Sequence, residues 1–168
     1  MCKQLLRPHY LDASVLVKLV VDEKYSDRVR KYIFFNPICS WRICTSYCFA
    51  EALGVLKRKN YKEELSNKGY LAASRQLIRL VSQGTLEIQE GDFSSLNAFA
   101  EAERIVKAYK IDFLDAFQII SVRESWSQLA KKSQPTLATA DRSLAKAAEK
   151  EGIEFWYCRE TNQPKAPL

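Results

Sequence analysis

Short apolar runs alternate along the chain with longer segments in which apolar residues recur every three or four positions. The short runs predict buried strands, and the longer segments predict amphipathic helices. We predict five strands: Leu5–Leu11, Trp41–Cys44, Leu86–Ile88, Thr136–Thr139 and Ile153–Tyr157. Strands that alternate with helices are typical of a single α/β domain whose sheet is mainly parallel.

The helices are predicted from their apolar periodicity and from capping residues at their starts. They are expected after Asp12, over Tyr25–Phe35, after Thr45 or Ser46, over Ser66–Ser82, from Ser94 or Ser95 to Tyr109, after Asp112, and over Ser143–Lys150. Phe35, Leu71 and Ile78 are expected to face inward. The helix after Asp112 is apolar nearly all round and is expected to be the most buried helix of the fold.

The length of 168 residues suits one domain, which we place at 1–158. Residues 159–168 contain two prolines and are predicted to form a flexible tail. No apolar run is long enough to cross a bilayer, and the N-terminus has no long apolar stretch typical of a secretory signal. We therefore expect a cytoplasmic protein without membrane association.

The histidine and cysteine content disfavours several kinds of catalytic or metal site. His9 is the single histidine, and it is interpreted as a strand residue rather than a catalytic base. The five cysteines form no closed disulfide set, and Cys39, Cys44 and Cys48 have the spacing C-x4-C-x3-C, which is unusual for zinc. Buried thiols in a reducing compartment are the favoured interpretation.

The net charge of +6 is unevenly distributed. Residues 1–84 contain 15 Lys and Arg against 7 Asp and Glu, whereas residues 85–168 contain 11 against 13. A basic half beside an acid-bearing half suits a polyanionic substrate that approaches a metal site, although a basic soluble surface explains it equally well.

Several acids occupy positions that converge in a parallel α/β fold. Asp12 and Asp141 follow predicted strands, Asp112 and Asp115 open one helix, and Glu51 is a lone charge in an apolar helix. Taken singly, each aspartate can be a helix cap and Glu51 can lie on a solvated strip. Ligands of parallel sheets bind at the carboxyl ends of the strands. Acids that meet there would repel one another unless a hard cation such as Mg²⁺ or Mn²⁺ neutralised them.

Four short motifs, in order, resemble the PIN-domain family of metal-dependent nucleases, and in particular its VapC-like toxin branch. They are Y-L-D-A-S at 10–14, A-E-A at 50–52, I-D-F-L-D-A at 111–116 and T-A-D-R at 139–142, and the resemblance spans about residues 7–157. It implies a five-stranded sheet of order 3-2-1-4-5 flanked by helices. It also implies an endoribonuclease that cleaves RNA phosphodiester bonds with metal-activated water.

The resemblance further implies roles for individual residues and partners. The principal metal ligands would be Asp12 and Asp115, and the catalytic pocket would be completed by Glu51 and Asp141. Asp112 would be an optional fifth acid or only a cap. Ser14 and Thr139 would hold a carboxylate or a water molecule. An antitoxin that covers the pocket and self-association as a homodimer or larger assembly are expected from the same resemblance.

Basic residues near Glu51 are candidates for contact with RNA. Arg58 and Lys62 continue the helical face of Glu51 and are predicted to bind phosphates without reading base sequence. The alternative function is a catalytically silent RNA- or protein-binding module of the same fold. A phospho-acceptor receiver domain is disfavoured, because no adjacent acids follow the first strand and no lysine follows the last.

Overall fold

Five parallel strands form the centre of the molecule. The computed structural model describes residues 7–37, 39, 41–91, 93–128 and 134–160. The strands are β1 (Pro8–Leu11), β2 (Trp41–Thr45), β3 (Glu87–Gln89), β4 (Thr136–Thr139) and β5 (Glu154–Tyr157). Their order is β3-β2-β1-β4-β5, and every pairing is parallel. The predicted α/β class and strand order are confirmed.

Seven helices connect and flank these strands in the described part of the chain. They are α1 (Ala13–Val20), α2 (Ser26–Phe35), α3 (Ser46–Tyr61), α4 (Asn67–Ser82), α5 (Leu96–Tyr109), α6 (Phe113–Gln128) and α7 (Arg142–Lys150). Side chains of the predicted type cap five of them by accepting a bond from a backbone N–H: Asp12, Thr45, Ser66, Ser95 and Asp141. Capping signals therefore located most helix starts correctly.

The strands separate two hydrophobic cores, which makes the fold a three-layer one. Because successive side chains of a strand point to opposite faces, Tyr10 joins one core and Leu11 the other. Leu11 packs with residues of α1 to α4. Tyr10 packs with residues of α5, α6 and α7. The helix pair α5 and α6 thus covers one face, and the first four helices cover the other.

The prediction that the helix after Asp112 would be the most buried is wrong. Phe113 is 38% exposed and Leu114 is 40% exposed. Packing on the sheet begins only at Ala116, so the apolar first turn of α6 projects beyond the layer that would cover it. Residues of α1 are buried at most positions, since α1 lies between the sheet and α2, α3 and α4.

Three other residues that were expected to face inward are exposed. Phe35, at the end of α2, is 79% exposed, and Leu71 and Ile78 of α4 are 48% and 53% exposed. The buried positions of α4 are Ala73 and Leu77, four residues apart on one face. Periodicity correctly indicated a helix here, but it placed the centre of the buried face incorrectly.

His9 lies in β1 and is completely buried. Its Nε2 lies 2.9 Å from the Tyr32 hydroxyl and its Nδ1 lies 3.0 Å from the Arg7 carbonyl oxygen. Burial lowers the pKa of His9 to about 4, so the ring is neutral near pH 7. The prediction that His9 is a strand residue is confirmed.

The C-terminal part of the described chain differs from the prediction at its start. Arg159 and Glu160, which were predicted to begin a flexible tail, follow β5 in a turn, and the Glu160 N–H donates to the Tyr157 carbonyl at 3.1 Å. Residues 161–168 and residues 131–133 of the predicted surface loop lie outside the described residues. Among the helices that are described, none is sufficiently long and apolar to cross a membrane.

Candidate functional site

The five acids singled out in the sequence lie around one pocket. Its volume is about 290 Å³, and its lining includes Asp12, Glu51, Asp112, Asp115 and Asp141. Asp12 follows β1, Asp141 follows β4, and α6 begins with the segment that carries the remaining two aspartates. The pocket therefore lies at the carboxyl edge of the sheet, where parallel α/β folds commonly bind ligands.

Asp12 is the most enclosed of the five acids, with 5% of its surface exposed. Its Oδ2 accepts hydrogen bonds from the Ser14 hydroxyl at 2.5 Å and the Thr139 hydroxyl at 2.9 Å. Burial raises the pKa of Asp12, and these bonds act in the opposite direction by stabilising the carboxylate. The position of this carboxylate is consequently fixed from both sides.

The hydroxyls of Ser14 and Thr139 also join two parts of the chain. Ser14 Oγ accepts a bond from the Ala140 N–H at 2.9 Å, and Thr139 Oγ1 accepts one from the Asp141 N–H at 2.9 Å. Each hydroxyl therefore accepts from the turn between β4 and α7 while it donates to Asp12. Geometrically, both residues occupy the supporting positions that the sequence suggested for them.

Replacement of Thr139 by valine is expected to weaken Mn²⁺ binding about ten- to a hundredfold, the usual range for loss of an outer partner of a metal ligand. Valine keeps the shape but removes the donor to Asp12 and the acceptor for the Asp141 N–H. Thr139→Ser is the matched control because it keeps the hydroxyl. Isothermal titration with Mn²⁺ measures both variants. Equal affinities for valine and serine would contradict the positioning role.

Asp115 has the strongest electrostatic perturbation among the pocket acids that carry a stated value. Burial, followed by the negative charges of Asp112, Asp12, Asp141 and Glu51, raises its pKa to about 8. The pKa of Glu51 is raised by burial and then by Asp12 and Asp112. These acids are therefore close enough for their charges to act on one another, as the sequence argument required.

Asp112 and Asp141 also cap the helices that begin beside the pocket. Asp112 Oδ1 accepts a bond from the Asp115 N–H at 2.9 Å. Asp141 Oδ1 accepts bonds from the N–H groups of Ser143 at 2.6 Å and Leu144 at 3.0 Å. The capping interpretation is thus correct for both, and it coexists with their place in the pocket lining.

The acids line the pocket without converging on a single point. Within the described residues, no three carboxylate, thiol or imidazole groups are arranged closely enough to hold a metal ion as they stand. Carboxylates without a cation between them repel and favour separation. The donor set itself consists of carboxylate oxygens, which is the chemistry preferred by Mg²⁺ and Mn²⁺. The residues therefore fit such an ion in donor type, although their side chains are spread around the pocket.

Charge compensation distinguishes these acids from a sixth carboxylate in the same pocket. Glu23 lies 2.5 Å from Lys18 Nζ and 3.0 Å from Lys59 Nζ. In the described part of the chain, none of the five acids forms an ion pair. The pocket thus contains a group of uncompensated negative charges beside a compensated one.

Sequence reasoning missed the cations that line the pocket, which are Lys18, Lys59 and Arg159. The signal for Lys18 was its spacing of four residues from Ser14, which puts both on one face of α1. Lys59 and Arg159 come from the end of α3 and the turn after β5, and no local pattern connects them.

The two predicted phosphate-binding residues lie outside the residues that line the pocket. The Arg58 guanidinium packs over Gly54, and its charge lowers the pKa of Glu51 against the larger effects that raise it. Lys62 follows the end of α3 and is exposed. Arg58 therefore continues the face of Glu51 as predicted, whereas Lys59 is the α3 cation that reaches the pocket.

Comparison with solved structures finds a similar fold. The crystal structure of PAE2754 from Pyrobaculum aerophilum superposes with a TM-score of 0.56 and 22% sequence identity, over 90% of each chain. At this identity the similarity establishes the architecture alone. No protein-family model and no curated protein sequence matches the chain. The α/β fold with strand order 3-2-1-4-5 is thus shared with a solved structure.

Proposed function

We propose that this protein is a Mg²⁺- or Mn²⁺-dependent endoribonuclease of the PIN-domain type. The observation that carries the proposal is the pocket with five carboxylates that have no ion-pair partner in the described part of the chain. Buried or half-buried carboxylates that repel one another are costly unless a cation binds among them. The basic surface of the N-terminal half favours an anionic substrate such as RNA.

The chain's own residues would divide the work in the pocket. Asp12 is fixed by two hydroxyls and would be the rigid ligand, while Asp115, whose pKa is raised by burial and neighbouring acids, would be the ligand most dependent on a cation. Glu51 and Asp141 would complete the set from α3 and from the turn before α7. A bound Mg²⁺ or Mn²⁺ would activate water and stabilise charge on the phosphodiester.

Further parts of the proposal come from the resemblance to VapC-like toxins. An antitoxin that covers the pocket, self-association and a cytoplasmic location stay predictions. Two features are consistent with them. Exposed apolar side chains of α5 and α6, including Leu96 and Phe99, form a surface typical of a protein interface. Cys39, Cys44, Cys48 and Cys158 are buried free thiols, which suit a reducing compartment.

The decisive experiment incubates the purified protein with an unstructured and a structured end-labelled RNA in Mg²⁺, in Mn²⁺ or in EDTA. We expect internal cleavage of at least one RNA with metal, no cleavage in EDTA, and recovery when metal is added in excess. The control variant Asp27→Asn removes an exposed acid of α2 and is expected to cleave normally. Intact RNA in both metals would contradict the nuclease proposal and favour the silent binding module, whereas equal cleavage in EDTA would contradict the metal requirement.

A further inference from the structure

The cations of the pocket differ in whether their charge is already neutralised. Lys18 Nζ is bound to Glu23, and Lys59 Nζ lies 3.0 Å from Glu23 and 3.2 Å from Glu64. Although burial raises the pKa of Glu23, bonds from the two lysines hold it below its ordinary value. Glu23 therefore stays ionised and pairs with both lysines, which leaves this group with a positive net charge.

Arg159 has no hydrogen bond or ion pair from its guanidinium to any described residue. It nevertheless lines the pocket together with the five acids. Its exposed side chain is therefore a cation that is available to a ligand at the pocket entrance.

The backbone around Arg159 is held in place although its side chain is free. Arg28 Nη1 donates to the carbonyl oxygens of Cys158 at 3.2 Å and Glu160 at 3.3 Å, on either side of Arg159. The Cys158 N–H donates to the Thr139 carbonyl at 3.0 Å and thus continues the pairing of β5 with β4. Arg159 accordingly projects from a fixed point next to the strand that precedes Asp141.

We propose that Arg159 binds a backbone phosphate of the RNA substrate and positions the chain across the acid pocket. This inference rests on the proposed ribonuclease function. A guanidinium presents a planar fork that matches two phosphate oxygens, and it keeps its charge at all physiological pH values. Because both lysines already neutralise Glu23, that carboxylate does not compete for Arg159. The free cation therefore counteracts the repulsion that the acids exert on an approaching phosphodiester.

The test measures RNA binding in a background that does not depend on cleavage. Fluorescence anisotropy with a short fluorescein-labelled single-stranded RNA compares Asp115→Asn with Asp115→Asn/Arg159→Ala in Mg²⁺. We expect a loss of affinity of about three- to tenfold at about 0.1 M salt and a salt dependence that is lower by about one phosphate contact. A labelled morpholino of the same base sequence, which lacks the phosphate charges, is expected to bind both proteins equally.

Two further variants make the comparison specific. Arg75→Ala in the same background removes an exposed arginine on α4, outside the pocket, and is expected to leave RNA affinity unchanged. Arg159→Lys is expected to recover part of the affinity because it keeps the charge but loses the fork. In protein with Asp115 intact, Arg159→Ala is expected to raise KM for RNA and to leave kcat nearly unchanged.

The outcomes separate this inference from the proposed function. If the protein cleaves RNA but Arg159→Ala changes neither affinity nor KM, the inference is overturned and the nuclease proposal stands. An equal loss with Arg75→Ala, or with the morpholino, would also overturn it, since the effect would then be general. If no RNA is cleaved yet the Arg159 dependence is observed, the nuclease proposal fails while the assigned phosphate contact is supported.

Discussion

Asp115→Asn should reduce metal-dependent RNA cleavage by about 10³-fold or more, the scale expected when a charged group that stabilises the reacting centre is lost. Asparagine preserves the shape of the side chain but removes a negative charge from the pocket. The backbone N–H of Asp115 still donates to Asp112, so the cap of α6 remains. Initial rates on an end-labelled RNA in Mn²⁺ measure the effect.

The same substitution at a remote acid provides the control for this loss. Asp27→Asn changes one carboxylate to an amide at the start of α2, on a side chain that is fully exposed. We expect it to cleave at the wild-type rate, and we expect the circular dichroism spectra of both variants to match the wild type. Wild-type activity in Asp115→Asn would refute the role of the pocket, whereas an altered spectrum would show that folding had changed.

In EDTA, Asp115→Asn should be more stable than the wild-type protein by about 1–3 kcal/mol at pH 8. Burial and the nearby acids raise the pKa of Asp115 from 3.8 to about 8, which makes its ionised form unfavourable in the folded state. A shift of this size corresponds to a larger free energy in a dry site, and the lower figure allows for screening by water in the open pocket. Urea unfolding in EDTA measures the difference.

The pH dependence of that difference follows from the direction of the shift. Between pH 3.8 and about 8 the folded state holds a proton on Asp115 that the unfolded state has released. The stability of the wild-type protein relative to Asp115→Asn therefore falls as pH rises through this window. We expect a small gain from the variant at pH 5 and a larger one at pH 8. A gain that is equal at both values would contradict the electrostatic explanation.

Metal should reverse the order of the two proteins. An ion that binds only the folded state adds stability according to its concentration and affinity, and the wild type retains the full set of carboxylates. At saturating Mn²⁺ we expect the wild-type protein to gain more unfolding free energy than Asp115→Asn. An equal gain for both proteins would indicate that the ion binds away from Asp115.

The positions of the acids could be predicted because capping and catalysis place similar demands on the chain. Asp12 and Asp141 cap helices that begin where strands end, so local rules located them at one edge of the sheet. The strand order did not follow from periodicity, and it came from the resemblance of the motifs. Arg159 escaped prediction because its role depends on β5 lying beside β4, which is a long-range fact.

Burial predictions failed where the pattern gave no information about the covering layer. The apolar residues Phe113 and Leu114 open α6, but this turn extends past the core that begins at Ala116. Phe113 instead stacks on Phe99 of α5, with ring centroids 5.4 Å apart. Apolar character alone therefore identified the helix and could not show which of its turns the fold encloses.

The several bonds of Asp12 make it a poor choice for trapping a complex. This aspartate starts α1, receives two hydroxyls and sends its own N–H to Ala138, so altering it would disturb the architecture together with the chemistry. Asp115 bears no such structural duty through its side chain hydrogen bonds in the described contacts. Crystallographers who wish to capture uncut RNA on this scaffold should accordingly disarm the protein at Asp115.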